Sequence, residues 1–209
     1  MLKLLFIVLI VRPIAFVVIG LNVRHYDRLP SAGPAIIVAN HNSHLDTMVL
    51  MSLMPFRLLR KVRPVAAADY FLRNRALAWF ANDVLGIVPM TRTRARGNPL
   101  AGCFEALRAG EILILFPEGT RGEPEKMAAD IKQGVRLLAR KFPEIPVHPV
   151  FLHGLGKALP RGEALFVPHI CDVIAGEPMT YHDNAEGFVD KLWTSLESLA
   201  NERKFPDWD

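Results

Sequence analysis

Short apolar runs of strand length alternate with helical patterns along most of this chain. Residues 35–40, Ala-Ile-Ile-Val-Ala-Asn, follow Gly33-Pro34 and read as a buried strand. Residues 65–68, 86–90, 112–116 and 146–152 read the same way, and 165–175 is a further candidate broken by Pro168. Between them the spacing predicts helices over about 43–53, 72–81, 99–108, 127–141 and 185–204. This alternation predicts an α/β fold class: a layered, mostly parallel sheet flanked by helices. No Gly/Ser linker divides the run. In open sheets of this kind sites gather at the carboxyl ends of strands, which is where the reactive side chains of this chain fall.

Composition narrows the class further. The chain has 209 residues, 51% hydrophobic and 22% charged, which supplies a real core and excludes a disordered polymer. Two cysteines, Cys103 and Cys171, exclude a disulfide framework and a cysteine-rich zinc module, and read as small core residues. No collagen-like period or 20–50-residue repeat is present. Net charge is +4, unevenly spread. Between Arg57 and Arg96 stand nine basic residues against Asp69 and Asp83, while from Glu177 onward eight acids face Lys191, Arg203 and Lys204. A basic middle points either to an anionic partner or to a plain solvated face. Its aromatics, Phe56, Tyr70, Phe71, Trp79 and Phe80, lie mostly in apolar runs, which argues against a nucleic-acid partner.

Residues 1–21 are apolar except for Lys3 and Arg12. A helix of that length spans about 30 Å, enough for a bilayer core. Arg12 would then lie near its middle, at about 2.5–3.5 kcal/mol, and Pro13 would break or kink it. The expected organisation is a membrane-associating segment over 1–22, lying in-plane or dipping into one leaflet, ahead of a domain over 23–209. A helix buried in the globular core and a true span are the other two readings.

The chemistry-bearing residues follow the strands. The first strand runs into Asn40-His41-Asn42-Ser43-His44-Leu45-Asp46. Five residues apart on one helix, His41 and Asp46 would not touch. They can meet if His41 precedes the helix and Asp46 sits in its first turn, and Ser43 to Asp46 resembles a capping box that would start the helix there. Asp46 would then fix the His41 tautomer for proton abstraction from a hydroxyl. The plainer reading is a helix-start acid and a polar loop residue. His41, His44 and Asp46, with His148 or His153, could instead hold a metal, although the spacing matches no common zinc pattern. The strand 112–116 empties into Pro117-Glu118-Gly119-Thr120-Arg121-Gly122, a candidate cradle for a polyanion or an ordinary turn. Arg92 and Arg94 follow another strand. No serine nucleophile elbow, Walker loop or dinucleotide fingerprint is present.

Together and in this order these blocks resemble the glycerolipid acyltransferase family, most closely its 1-acyl-glycerol-3-phosphate and lysophospholipid acyltransferases. Residues 40–46 look like the family's N-H-x-S-x-x-D block. Residues 86–92 are similar to G-x-x-F-I-x-R, and 116–121 agree fully with F-P-E-G-T-R. Residues 145–150 are similar to its late apolar-proline strand. The likeness covers about residues 30–155. Two features depart from it: Val65-Ala-Ala-Ala-Asp-Tyr70 lacks the family's lysine, and Pro89 replaces an aromatic. The resemblance implies acyl transfer from acyl-CoA or acyl carrier protein to the free hydroxyl of 1-acyl-glycerol-3-phosphate, giving phosphatidic acid. It implies His41 as general base and Asp46 as its orienting partner, with Asn40 and Ser43 in support. Arg92, Glu118, Gly119, Thr120 and Arg121 would bind the acceptor. It implies no cofactor or metal beyond the thioester co-substrate, and no covalent acyl-enzyme. The implied setting is an anionic membrane surface, with the site on the cytoplasmic side of the inner or plasma membrane. A different lysophospholipid or lipid alcohol as acceptor, a non-catalytic lipid-binding protein on the same fold and a metal-dependent hydrolase are the alternatives.

Overall fold

Residues 35–39 send their side chains alternately to two different cores. Ala35, Ile37 and Ala39 join one apolar cluster, whereas Ile36 and Val38 join another. Ile112 and Ile114 split from Leu113 and Leu115 in the same way. Strands buried on both faces, with period two, require a helical layer on each side. A computed structural model, which describes residues 1–68, 74–90, 98–117, 133–158 and 169–202, has this architecture.

Among the described residues the strands are β1 (Leu21–Arg24), β2 (Ala35–Ala39), β3 (Val62–Ala67), β4 (Val88–Met90), β5 (Ile112–Leu115), β6 (Val147–His153) and β7 (Cys171–Ala175). They form one sheet in the order β1-β7-β6-β2-β5-β3-β4. Every neighbouring pair is parallel except β6 with β7. The expected mostly parallel α/β sheet is therefore present, and β2, with β5 and β6 on either side, lies at its centre.

The amino-terminal run begins as α1 (Leu2–Phe6) and continues through two π-wound stretches, Ile7–Val11 and Ile14–Val18. Next come α2 (Leu45–Leu53), α3 (Phe56–Leu59) and α4 (Arg75–Trp79), the last extended by π turns over Phe80–Leu85. Later in the chain the described α-helices are α5 (Ala101–Arg108), α6 (Gln133–Lys141), α7 (Leu155–Ala158) and α8 (Phe188–Asn201). The amino-terminal run, α2 and α3 cover one face of the sheet, and α5, α6 and α8 cover the other.

The predicted strand 65–68 opens three residues early, at Val62. Strand 86–90 starts two residues late because Gly86 ends the preceding helical turn at φ +66°, a left-handed conformation. A Cβ there would also lie 2.6 Å from Lys3 Nζ. The candidate 165–175 begins at Cys171, its first part lying outside the described residues. β1 was not expected at all, and the boundary drawn after residue 22 falls inside it.

Residues 1–21 are neither broken at Pro13 nor separate from the rest. Helical winding continues through Pro13, and Lys3, Ile7, Val11, Ala15 and Ile19 are buried at a strict spacing of four. That spacing suits bonds reaching five residues back, such as Ile19 N–H to Ile14 C=O at 2.9 Å. Ile7, Val11, Ala15 and Ile19 belong to the main core, where each buried isoleucine contributes about 1.5–3 kcal/mol. Among the described residues no helix is long and apolar enough to cross a membrane. The face turned away from the core stays apolar and exposed: Leu2, Leu5, Leu9, Ile10, Phe16, Val17 and Val18.

Candidate active site

β2 delivers the polypeptide to the carboxyl end of the sheet, where Asn40 locks the exit. Its side chain accepts from Leu152 N–H at 2.7 Å and donates to Leu152 C=O at 2.8 Å, satisfying two buried backbone groups of β6. The chain then crosses His41 to His44 before α2 begins at Leu45. The expected capping box is half formed. Asp46 reaches back to Ser43 N–H, but Ser43 Oγ accepts from Leu45 N–H at 3.3 Å rather than from Asp46 N–H. His41 is thereby left outside the helix.

This turn brings His41 and Asp46 together. Asp46 is fully buried, and its Oδ2 accepts from His41 Nδ1 at 2.9 Å, Asn42 N–H at 2.7 Å and Ser43 N–H at 2.8 Å. Three donors offset the cost of burying the carboxylate. Because Oδ2 is the acceptor in this cluster, the hydrogen of the His41 contact resides on Nδ1. In the neutral ring that makes Nε2 the nitrogen able to accept a proton. Asp46 Oδ1 is buried with no hydrogen-bond partner among the described residues. The His41 side chain retains 18% of its exposure, so the imidazole is reachable from outside.

Phe116 supplies the remaining wall. Its ring stacks on the His41 imidazole with centroids 4.1 Å apart and planes 22° from parallel. The register explains the contact: Val38 pairs with Leu115, so the residues just beyond β2 and β5 meet at the same end. Spacing within 116–121 does not by itself point Phe116 toward His41. The neighbouring ends of two central parallel strands were the available signal. Arg92, Glu118, Gly119, Thr120 and Arg121 lie outside the described residues.

The histidines considered for a metal part company. His148 lies in β6, with Nδ1 2.7 Å from Arg28 C=O, and burial pushes its pKa below the ordinary imidazole value. His153 ends β6 at the other end. Among the described residues no three His, Cys, Asp or Glu side chains converge as metal ligands. A cavity of about 530 Å³ lined by Arg28, Pro34, His148 and Glu177 opens at the amino end of β2 and β6, away from His41.

Comparison with known proteins identifies the family and the fold. The family model described as Acyltransferase matches residues 20–153, more than half of the chain. The chloroplastic 1-acyl-sn-glycerol-3-phosphate acyltransferase LPAT1 of Arabidopsis thaliana is 32% identical over 157 residues, 71% of this chain and 40% of the relative. The 1-acyl-sn-glycerol-3-phosphate acyltransferase of Helicobacter pylori is 29% identical over 122 residues, 57% of this chain and 48% of the relative. The chain thus spans less than half the length of these two relatives. The crystal structure of the 1-acyl-sn-glycerophosphate (LPA) acyltransferase PlsC from Thermotoga maritima shares the fold. It superposes with a TM-score of 0.70 at 23% identity, over 89% of this chain and 73% of that one. The matched stretch runs from β1 to the end of β6 and encloses the whole His41–Asp46 turn, and on that match the chain belongs to the acyltransferase family.

Proposed function

We propose that this chain transfers a fatty acyl group from a thioester, acyl-CoA or acyl carrier protein, to the free hydroxyl of 1-acyl-glycerol-3-phosphate. The products are phosphatidic acid and the free thiol. The observation that carries the reading is the His41–Asp46 pair at the carboxyl end of a central parallel strand, with His41 Nδ1 held 2.9 Å from the buried Asp46 Oδ2.

In this reaction Nε2 takes the hydroxyl proton as the acceptor oxygen attacks the thioester carbonyl carbon. Asp46 stabilises the imidazolium that forms. The tetrahedral intermediate collapses, the C–S bond breaks, and the thiolate recovers the proton from His41. The acceptor hydroxyl is the nucleophile, so no enzyme serine or cysteine takes the acyl group. Phe116 holds the ring plane and excludes water from one face of the imidazole. Arg92, Glu118, Gly119, Thr120 and Arg121 bind the glycerol-phosphate end. No cofactor or metal enters the reaction.

The acceptor is a membrane lipid, and the proposed docking surface is the exposed apolar face of residues 2–18. Trp79 and Phe56 flank it, each about half exposed. Phe80, next to Trp79, packs edge-on against Phe6 at 5.3 Å, and Arg12 lies over the Phe56 ring. Exposed Arg57, Arg60 and Lys61 on and after α3 suit an anionic leaflet. The segment would lie in the interface rather than cross it, with the site on the cytoplasmic side of the membrane.

The test is thiol release from acyl-CoA in detergent micelles with lysophosphatidate, beside a panel of other lysophospholipids. Release that depends on acceptor and disappears in His41→Ala is the expected result. No acceptor-dependent release with acyl-CoA or with acyl carrier protein as donor would overturn the reading.

A further inference from the structure

We infer that Arg12 is a positioning residue for the His41–Asp46 pair, acting through α2. The inference rests on the proposed acyl transfer for its kinetic arm only. α2 has two ends with different tasks. Its first turn carries Asp46, which holds His41 Nδ1 and the Asn42 and Ser43 amides. Its last turn exposes carbonyls with no partner inside the helix, as every helix does. Three consecutive carbonyls at that end are bound by donors from the first 26 residues. Arg12 Nε donates to Ser52 C=O at 2.9 Å and Arg12 Nη2 to Met54 C=O at 2.7 Å. Tyr26 Oη donates to Leu53 C=O between them at 2.8 Å.

The chemistry of Arg12 suits this task. A guanidinium presents its donors in a fixed fork, so two carbonyls set its position and it sets theirs. Its charge is favourable at a helix carboxyl end. The Phe56 ring, 4.2 Å from the guanidinium carbon, closes one face. The residue that looks like a burden in an apolar segment is thus the bolt that fastens the segment to α2. A short helix moves as a rod, and Asp46 lies less than two turns from Ser52. A shift of α2 along its axis therefore changes the Asp46–His41 distance directly. The opposite side of the same segment carries Leu9, Ile10, Phe16 and Val17 outward. Seating that side on a bilayer fixes Arg12, and through it the distance between Asp46 and His41.

The experiment compares Arg12→Gln, Arg12→Lys and Tyr26→Phe with the wild type. It reads thermal unfolding, binding to phosphatidylglycerol-containing vesicles, kcat and KM for lysophosphatidate, and the His41 Nδ1–H proton resonance. The expected result for Arg12→Gln is a fall in kcat of about ten- to a hundredfold with KM little changed, and a weakened Nδ1–H signal. Arg12→Lys, which keeps the charge but not the fork, is expected to bind vesicles like the wild type and recover only part of kcat. A folded Arg12→Gln with wild-type kcat and signal overturns the inference. So does a loss of activity that merely tracks lost vesicle binding. Should Arg12→Gln fail to fold, Arg12→Lys and Tyr26→Phe decide, and wild-type kcat and signal in both would overturn it. If the wild type transfers no acyl group, the functional reading fails while the imidazole signal still tests Arg12.

Discussion

Asn40 and Leu152 exchange two hydrogen bonds, from Leu152 N–H to Asn40 Oδ1 at 2.7 Å and from Asn40 Nδ2 to Leu152 C=O at 2.8 Å. One side chain thus replaces a rung of the β2–β6 ladder at the point where the chain must leave the sheet toward His41. Asn40→Ala leaves a buried donor and a buried acceptor of β6 unmet. The expected loss of stability is about 2 kcal/mol or more, read as a lower urea midpoint at unchanged slope. A midpoint equal to the wild type would show that water or a neighbour replaces the side chain.

Asp46→Asn tests the tautomer. An amide there either turns its NH2 toward His41, which moves the imidazole hydrogen to Nε2 and opposes the Asn42 and Ser43 N–H groups, or keeps its oxygen in place without the charge that stabilises the imidazolium. The expected fall in kcat is on the order of 10³–10⁴-fold, close to that of His41→Ala, while the double variant is hardly worse than either single one. Additive losses would mean that the two side chains work separately.

How far the site could be read from the chain depends on sequence distance. His41 and Asp46 are five residues apart, and the strand before them and helix after them are set by local pattern, so their meeting was legible. Arg12 was not, because its partners lie 40 and 42 residues away. Read alone, it is a charge opposing insertion, which favours an in-plane segment over a span but does not show that the segment also packs on the core. β1 was missed for a similar reason. Leu21-Asn-Val-Arg24 is short and half polar, and only its pairing with β7, about 150 residues on, makes it a strand. There Asn22 Nδ2 donates to the buried Asp172 Oδ1 at 2.6 Å. Phe116 stood in a recognised motif, yet its stacking on His41 follows from the β2–β5 register and not from spacing.

Lys3 gives the fold a dependence on alkaline pH. Its ammonium is buried against Val62 C=O at 2.7 Å. Burial first, and Arg63 second, lower its pKa to about 8, while the Glu111 carboxylate pulls the other way. The folded state therefore binds fewer protons than the unfolded state between about pH 8 and 10.5, and stability rises with pH across that window. Below pH 8 the full penalty remains. The expected gain across the window is on the order of 3 kcal/mol. Burial raises the Cys103 thiol to about 11, which acts in the opposite sense above pH 9, so the comparison must be with Lys3→Met, where that contribution is shared. Urea unfolding of the two proteins at pH 7.5 and 10 reads the difference. Parallel pH dependences would remove Lys3 as its source.

The outer face of the amino-terminal segment separates packing from docking. Ile7 is fully buried, whereas Leu9 is 66% and Val17 81% exposed on the same run. Leu9→Asp and Val17→Asp are expected to leave unfolding within about 0.5 kcal/mol of the wild type, because neither side chain is in the core. Each should lower partitioning onto anionic vesicles by about tenfold or more, since an apolar group that would enter the interface becomes a charge. Ile7→Asp should instead unfold the protein by placing a charge in the core. Added salt should weaken wild-type binding through Arg57, Arg60 and Lys61, without restoring the aspartate variants. Vesicle co-sedimentation at two salt concentrations measures all of these. Equal partitioning of Leu9→Asp, Val17→Asp and wild type would mean that the bilayer meets another surface of the protein.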